Sequence, residues 1–392
     1  MKKIKIENKK AVLSISYGNY FKFHGGTDKV IQSHRKVLKK KKISYLFISP
    51  KVRKISENKG FFHFWEIMID DVCYGLVDSN ELLGIIGTLH QEKDVEIIGL
   101  HVHHLLRVFI PDVKIIWDNI KLPITMFIHD YYTICENYFL LRNKEEFCGG
   151  EQVNKKKCES CCFYKKVKKR AEGVRSLLYE YQNRIIAVIP SHYAREIWLI
   201  AYKEFEDRAF VVPHLELHGS YKGNMNQLKK RNKVKVAFIG LQAEMKGWEI
   251  WKDSIRNMDR HKELEFFYLG TGQERIHEVQ NIEVSFQTMG EDAMIKTLRK
   301  YEIDCVVLWS IWPETYSLTF FECYASNVFV ITNENSGNIA AMVRKYGNGT
   351  ILREGRDLKK ILEDEENFKN IINQWRNGCQ YGPERLVDNE RG

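Results

Sequence analysis

The stretch 313–326, PETYSLTFFECYAS, carries two carboxylates, Glu314 and Glu322, separated by seven residues where the chain is predicted to pass from loop into helix. At a rise of about 1.5 Å per residue, eight helical residues span ~12 Å, the length of a sugar with its diphosphate or of a diphosphate with its ribose. A carboxylate ahead of the helix accepts hydrogen bonds from sugar hydroxyls, and one inside it accepts the two hydroxyls of a ribose. The open amides at the helix start, near Ser317 and Leu318, attract a diphosphate. Residue types and spacing together suit a nucleotide sugar, with Glu314 on the hexose and Glu322 on the pentose.

Other positions of the second half converge on the same chemistry. Gly240 ends VKVAFIG and precedes LQAEMKGW, where Lys246-Gly247 opens a predicted helix and sets a cation beside a helix N-terminus. Gly270 and Gly272 end LEFFYLGTG, which lets a flat base or a ribose approach the backbone. Each position alone fits an ordinary strand-to-helix turn. In the first half, Gly25-Gly26 follows the first strand and precedes a helix capped by Thr27 or Asp28, so bare backbone there can meet a phosphate or sugar. His129 ends the apolar run ITMFI and is followed by Asp130, which places it at a strand end. His101 and His103 of HVHH share a strand face without a carboxylate pattern to complete a metal site, which leaves acceptor contact or packing.

The nine cysteines are odd in number and scattered, which favours reduced thiols over a disulfide framework. Cys135, Cys148, Cys158 and Cys161 gather in one stretch, and Cys158-x2-Cys161 has zinc-knuckle spacing. A structural zinc on these four thiolates and plain buried or surface thiols are both open.

The elements that must position these groups follow a βα rhythm: AVLSISY, TDKVIQSHRKVLKKKK, ISYLFIS, FWEIMI, SNELLGIIGTLHQEK, VEIIGLHV and ITMFIHD in the first half. Such alternation favours an α/β fold of parallel sheets covered on both faces, with ligands at the carboxyl ends of the strands. The stretch 135–170 breaks the rhythm as an insertion. After RIIAVIP, a helix capped by Ser191 and the strand AFVVPH, polar residues mark a linker. The expected organisation is a first Rossmann-like domain over 1–212, a linker over 213–232, a second over 233–375, and a tail over 376–392. The two halves are expected to face one another across a cleft, and the helical stretch EDEENFKNIINQWRNG to dock across them.

At 392 residues, 44% hydrophobic and 29% charged, the chain has a globular composition and exceeds one ordinary core. Its net charge of +10 sits largely in runs of the first half: Arg35-Lys36, Lys39 to Lys42, Lys155 to Lys157, Lys165-Lys166 and Lys168 to Arg170. These fit a solvated surface or peripheral contact with the inner face of a membrane. They lack the interleaved aromatics of a nucleic-acid binder. The amino-terminal MKKIKIENKKAVLSISYGNY reads as a strand rather than a signal peptide, and no apolar run is long enough to span a bilayer, so a cytoplasmic protein is expected.

The layout resembles the retaining glycosyltransferases of the GT-B fold, family 4, whose signature is E-x7-E, here Glu314 to Glu322. The resemblance extends to HGGTDKV, HDYYTIC, PSHYAREIW, VVPH, FIG with Lys246-Gly247, YLGTGQE and TNENSGNIAAMV, and to the cysteine-rich stretch, which is similar to some bacterial surface-polysaccharide members. It implies that Glu322 holds the ribose, Glu314 the donor sugar and Lys246 the diphosphate, with His129 beside the transferring sugar. It further implies a nucleotide-sugar donor, a saccharide or lipid-linked saccharide acceptor, retention of configuration, and no cofactor or catalytic metal. Members commonly carry an arginine after the glycine matched by Gly240; here Leu241 stands there, leaving the charge to Arg195, to Arg344, or to Lys246 with the helix amides. Rival readings are a nucleotide-sugar epimerase of the same fold and a non-catalytic nucleotide-sugar-binding partner.

Overall fold

The computed structural model describes residues 4–22, 25–54, 61–218, 233–256, 263–277, 279–378 and 385–388. They fall into two compact units: one takes the residues up to Asn143 with Cys148–His214, the other Lys144–Phe147 with Leu215–Asp388. Most of the expected linker, 219–232, lies outside the described residues.

The first unit is built on β1 (Lys10–Ile15), α1 (Gly26–Lys40), β2 (Ile43–Lys54), β3 (Phe61–Ile69), β4 (Val72–Val77), α2 (Ser79–Lys93), β5 (Glu96–Val102), α3 (Ile110–Asn119) and β6 (Ile124–Phe127). The insertion contributes the two-residue strand β7 (Leu141–Arg142), α4 (Lys155–Cys158) and α5 (Tyr164–Glu180), while β8 (Glu146–Phe147), between β7 and α4, falls to the second unit. The unit closes with β9 (Ile185–Ile189), α6 (His192–Ala201) and β10 (Ala209–Val211). Its eight-stranded sheet runs β10-β9-β6-β5-β1-β2-β3-β4. The six strands from β10 to β2 are parallel, as the βα rhythm implies.

The last two strands depart from that expectation. β3 pairs antiparallel with β2 and β4 with β3, because only Asp70 and Asp71 join β3 to β4, and two residues can reverse a chain but not cross it over. Both aspartates have positive φ, 44° and 77°, as a type I′ hairpin turn requires. The turn is held from outside: Asp70 accepts the Tyr45 N–H and the Ser44 hydroxyl, both at 2.8 Å. α1 also begins earlier than expected. Gly25 is its N-cap, and Asp28, three residues into the helix, accepts the Gly25 N–H at 2.9 Å.

The second unit contains β11 (Leu215–His218), β12 (Val234–Ile239), α7 (Trp248–Ser254), β13 (Leu264–Gly270), β14 (Val279–Glu283), α8 (Phe286–Met289), α9 (Ala293–Lys300), β15 (Cys305–Val307) and α10 (Leu318–Ala325). β16 (Phe329–Asn333), α11 (Asn338–Tyr346), β17 (Gly349–Leu352), α12 (Gly355–Glu363), α13 (Glu365–Gly378) and β18 (Arg385–Asp388) complete it. Six parallel strands in the order β14-β13-β12-β15-β16-β17 form the sheet. Alternation along β12 shows why it is covered twice: Val236 and Phe238 enter one core with Trp248, Trp251, Leu358, Phe368 and Ile372, while Ala237 and Ile239 enter the other with Leu298, Phe320, Ile339 and Val343. α13 therefore belongs to this unit's core, and the helix runs past 376 into the span expected as tail. β11, within the span expected as linker, pairs antiparallel with β18. Among the described residues no helix is long and apolar enough to cross a membrane.

Candidate functional site

The carboxyl end of β15 leads into the loop that carries Glu314. Backbone and side-chain bonds to three neighbouring elements fix this loop. Ile311 N–H donates to the Met245 carbonyl at 3.2 Å, Asn333 Nδ2 to the Ser310 carbonyl at 2.8 Å, and Thr332 Oγ1 to the Leu308 carbonyl at 2.7 Å. The first amide of α11, from Asn338, donates to the Glu314 carbonyl at 2.9 Å. Gly337, with φ 66°, lies so close beneath that a Cβ there would stand 2.4 Å from Glu314 N. Only glycine satisfies both demands.

Held this way, Glu314 is 5% exposed, and its Oε1 receives the Lys246 ammonium in a salt bridge. The lysine ends a single 3-10 turn, Glu244–Lys246, and also lies 5.7 Å from the centre of the Trp312 ring. Gly247 follows with φ 79°, where a Cβ would meet the Trp309 carbonyl at 2.2 Å. The two groups assigned from sequence to different parts of a ligand are thus each other's partners.

α10 starts at Leu318, not at Glu314, so the length reckoned for a segment helical throughout does not apply. Ser317 caps it, its Oγ accepting the Phe320 N–H at 3.2 Å. Glu322 sits in the second turn, 8% exposed. The helix start and Glu322 therefore share one rigid element, whereas Glu314 belongs to the loop before it.

The glycines at the ends of β12 and β13 answer to the protein's own packing. Tyr268 Oη donates to the Gly240 carbonyl at 2.9 Å and accepts the Gly272 N–H at 2.8 Å. A Cβ on Gly270 would meet that same oxygen at 2.6 Å, and one on Gly272 the Gln242 side chain at 2.2 Å. Tyr268 and Gln242 thus occupy the direction in which a side chain at these two positions would point. Leu241 is 62% exposed. Of the cations considered in its stead, Arg195 is engaged within the first unit, donating to the Ala209 and Glu206 carbonyls at 2.8 Å, and Arg344 is an exposed residue of α11.

In the first unit, His129 and Asp130 follow β6 and are matched by His103 and His104 after the adjacent β5. His103 Nδ1 lies 3.0 Å from His129 Nε2, and His104 Nε2 lies 3.0 Å from Asp130 Oδ2. The Leu106 N–H donates to His104 Nδ1 at 2.9 Å, so the proton of His104 sits on Nε2 and goes to Asp130. Tyr17 stands edge-on to the His104 ring and donates its hydroxyl to Asp28 at 2.8 Å, the carboxylate that also holds Gly25. Gly26 has open space where a side chain would be.

His34, His101 and His214 gather around the His103–His129 pair, with His34 5.2 Å from His103 and His214 5.5 Å from His129, ring centre to ring centre. Burial depresses all five, reinforced in all but His34 by repulsion from neighbouring histidines: His34 to about 4, His101 and His214 to about 3, and His103 and His129 well below the usual range. At neutral pH His129 is consequently a hydrogen-bonding group and not a cation. The sequence marked HVHH without seeing its role, which rests on contacts between adjacent strand ends that spacing does not encode. Among the described residues no three His, Cys, Asp or Glu side chains stand in a geometry that holds a metal ion as they are placed.

No protein-family model matches the chain, and no curated protein sequence matches it. Solved structures do. Sucrose-phosphate synthase from Thermosynechococcus elongatus matches with a TM-score of 0.56 and 12% identity, over 94% of this chain and 93% of that one. WaaG, a glycosyltransferase involved in lipopolysaccharide biosynthesis, matches with a TM-score of 0.55 and 11% identity, over 93% of each chain. The catalytic domain of starch synthase IV from Arabidopsis thaliana, bound to ADP and acarbose, matches with a TM-score of 0.50 and 12% identity, over 95% and 92%. At such identities the likeness establishes architecture: the chain has the GT-B fold.

Proposed function

We propose that the protein is a retaining glycosyltransferase that moves a sugar from a nucleotide-sugar donor to a saccharide or lipid-linked saccharide in the assembly of a cell-surface polysaccharide. The observation that carries this reading is the Lys246–Glu314 pair, set at the strand ends of the second unit just ahead of the capped helix bearing Glu322. Its support from architecture is the shared fold, and the matching starch synthase structure holds ADP, a nucleoside diphosphate.

Cleaving the bond from the anomeric carbon to the diphosphate leaves positive character on the sugar and negative charge on the leaving group, so stabilising an anion is the main task. Lys246 and the first amides of α10 supply this stabilisation. The salt bridge to Glu314 keeps the ammonium in place before the donor binds, and an incoming diphosphate then competes for it, freeing the Glu314 carboxylate to accept sugar hydroxyls. Glu322 receives the ribose hydroxyls. The acceptor hydroxyl attacks the anomeric carbon from the face the phosphate leaves; the new carbon–oxygen bond replaces the old one, and the departing phosphate oxygen takes the hydroxyl proton. His129, uncharged, offers a hydrogen bond to a sugar. The basic runs of the first half fit a lipid-linked acceptor presented at an anionic membrane face.

Thermal shift against uridine, guanosine and thymidine diphosphosugars identifies the donor, and release of the nucleoside diphosphate follows turnover. Glu314→Ala is expected to abolish turnover while nucleotide binding persists. Unchanged turnover with both Glu314 and Glu322 replaced by alanine would sink the proposal. The exposed Leu241, in place of a diphosphate-binding arginine, favours one second reading, a nucleotide-sugar binder without catalysis; it predicts binding with no turnover for any donor.

A further inference from the structure

The insertion following His129 poses a stability problem. Its own apolar cluster contains three buried residues, Val153, Val167 and Ala171, against which Cys135, Cys158, Phe163 and Tyr164 pack half-buried. So small a core rarely holds a loop-rich segment of this length, and chains of this kind use a covalent or metal staple.

Four thiols surround one cavity beside that cluster: Cys135, Cys148, Cys158 and Cys161. Main-chain donors already serve the sulfurs. The Asn137 N–H donates to the Cys135 sulfur and the Gly150 N–H to that of Cys148, each two residues further along the chain. The second of these turns is built by Gly149 and Gly150 with φ of 90° and 75°, and a Cβ on Gly150 would meet Ile197 at 2.8 Å. Cys158 and Cys161 form a turn in which the Cys161 N–H donates to the Cys158 carbonyl at 2.9 Å. Four cysteines around one cavity, two with a main-chain N–H on the sulfur and two at the ends of one turn, are the donor set of a tetrahedral thiolate site.

We propose that Cys135, Cys148, Cys158 and Cys161 bind a structural zinc ion that staples the insertion. Binding zinc displaces the thiol protons and draws the four sulfurs onto the ion. The Arg142 guanidinium, which also lines the cavity, offsets part of the negative charge of a four-thiolate centre. Cys162 is exposed and does not line the cavity.

The test uses the full chain without a polyhistidine tag, purified under reducing conditions from zinc-supplemented cells. Elemental analysis is expected to find about one zinc per chain, retained in Cys162→Ser and reduced to below about a tenth in Cys148→Ser and Cys161→Ser. Because serine variants can misfold, the unaltered protein is also exchanged with cobalt, which should give thiolate-to-metal charge-transfer absorption. The four cysteines should resist alkylation until a chelator strips the metal. Zinc-free protein, zinc retained by Cys148→Ser, or a disulfide among these four in the reduced preparation overturns the proposal. None of these readouts depends on sugar transfer.

Discussion

At the scale of single residues, the site depends on two contacts that leave no slack. Gly337 is pressed beneath the Glu314 peptide with a positive φ, so Gly337→Ala adds a strained backbone and a collision with main chain that cannot turn aside. We expect the variant to lose roughly 2–4 kcal/mol of stability and its donor-induced thermal shift; a urea midpoint within experimental error of the parent would show that the loop yields more easily than its bonds imply. The Lys246–Glu314 pair makes a second prediction. Lys246→Ala leaves a 5%-exposed carboxylate without its cation, at a cost of roughly 1–3 kcal/mol. Removing both partners restores part of that loss. A double-mutant cycle measures the coupling, and additivity of the two single variants would mean that the pair contributes nothing.

At the scale of elements, α10 is short enough for its cap to matter. Ser317→Ala removes the oxygen that accepts the Phe320 N–H and should cost about 1 kcal/mol, while Ser317→Asp keeps it; equal thermal stability of the two variants would contradict the assignment. The comparison also shows what apolar periodicity can carry. It located α1, α2, α6, α7 and α13 and the central strands of both sheets, because alternation such as that of β12 is a local consequence of one face being buried, but it missed α3, the 17-residue α5 and α12. The β3–β4 hairpin was missed because Asp70-Asp71 lacks the glycine that usually announces a type I′ turn, its positive φ values being supported by bonds to the distant Ser44 and Tyr45. The β11–β18 pair was illegible for a different reason: its partners lie far apart in sequence, and a four-residue strand carries little pattern. In the site, the carboxylates and lysine stood out by type and spacing. What holds them did not, since Gly337, Asn333 and Trp309 act through close approach and main-chain bonds that spacing does not encode.

At the scale of the molecule, the histidine cluster sets how the protein responds to acid. His34, His101, His103, His129 and His214 are held uncharged in the folded first unit, with folded pKa values far below the ~6.5 of an unfolded chain. Between pH 6.5 and about 4 the unfolded state therefore binds more protons than the folded one, so stability falls as pH falls, by up to ~1.4 kcal/mol per pH unit for each histidine. Carboxylates titrate mostly below this window, and Asp130, the acid beside the cluster, is paired with His104. The steep loss above pH 5 should thus belong to the imidazoles. His34→Phe keeps an aromatic ring against Phe127, whose centre lies 4.6 Å away, and removes one group that must stay neutral. Global hydrogen exchange of β6 amides at pH 7.5, 6.5 and 5.5 reads the unfolding free energy of this unit; the variant should lose less stability across the series than the parent, with the two curves diverging as acid is added. Parallel curves would show that His34 takes up its proton in the folded state and that its burial does not carry the acid sensitivity.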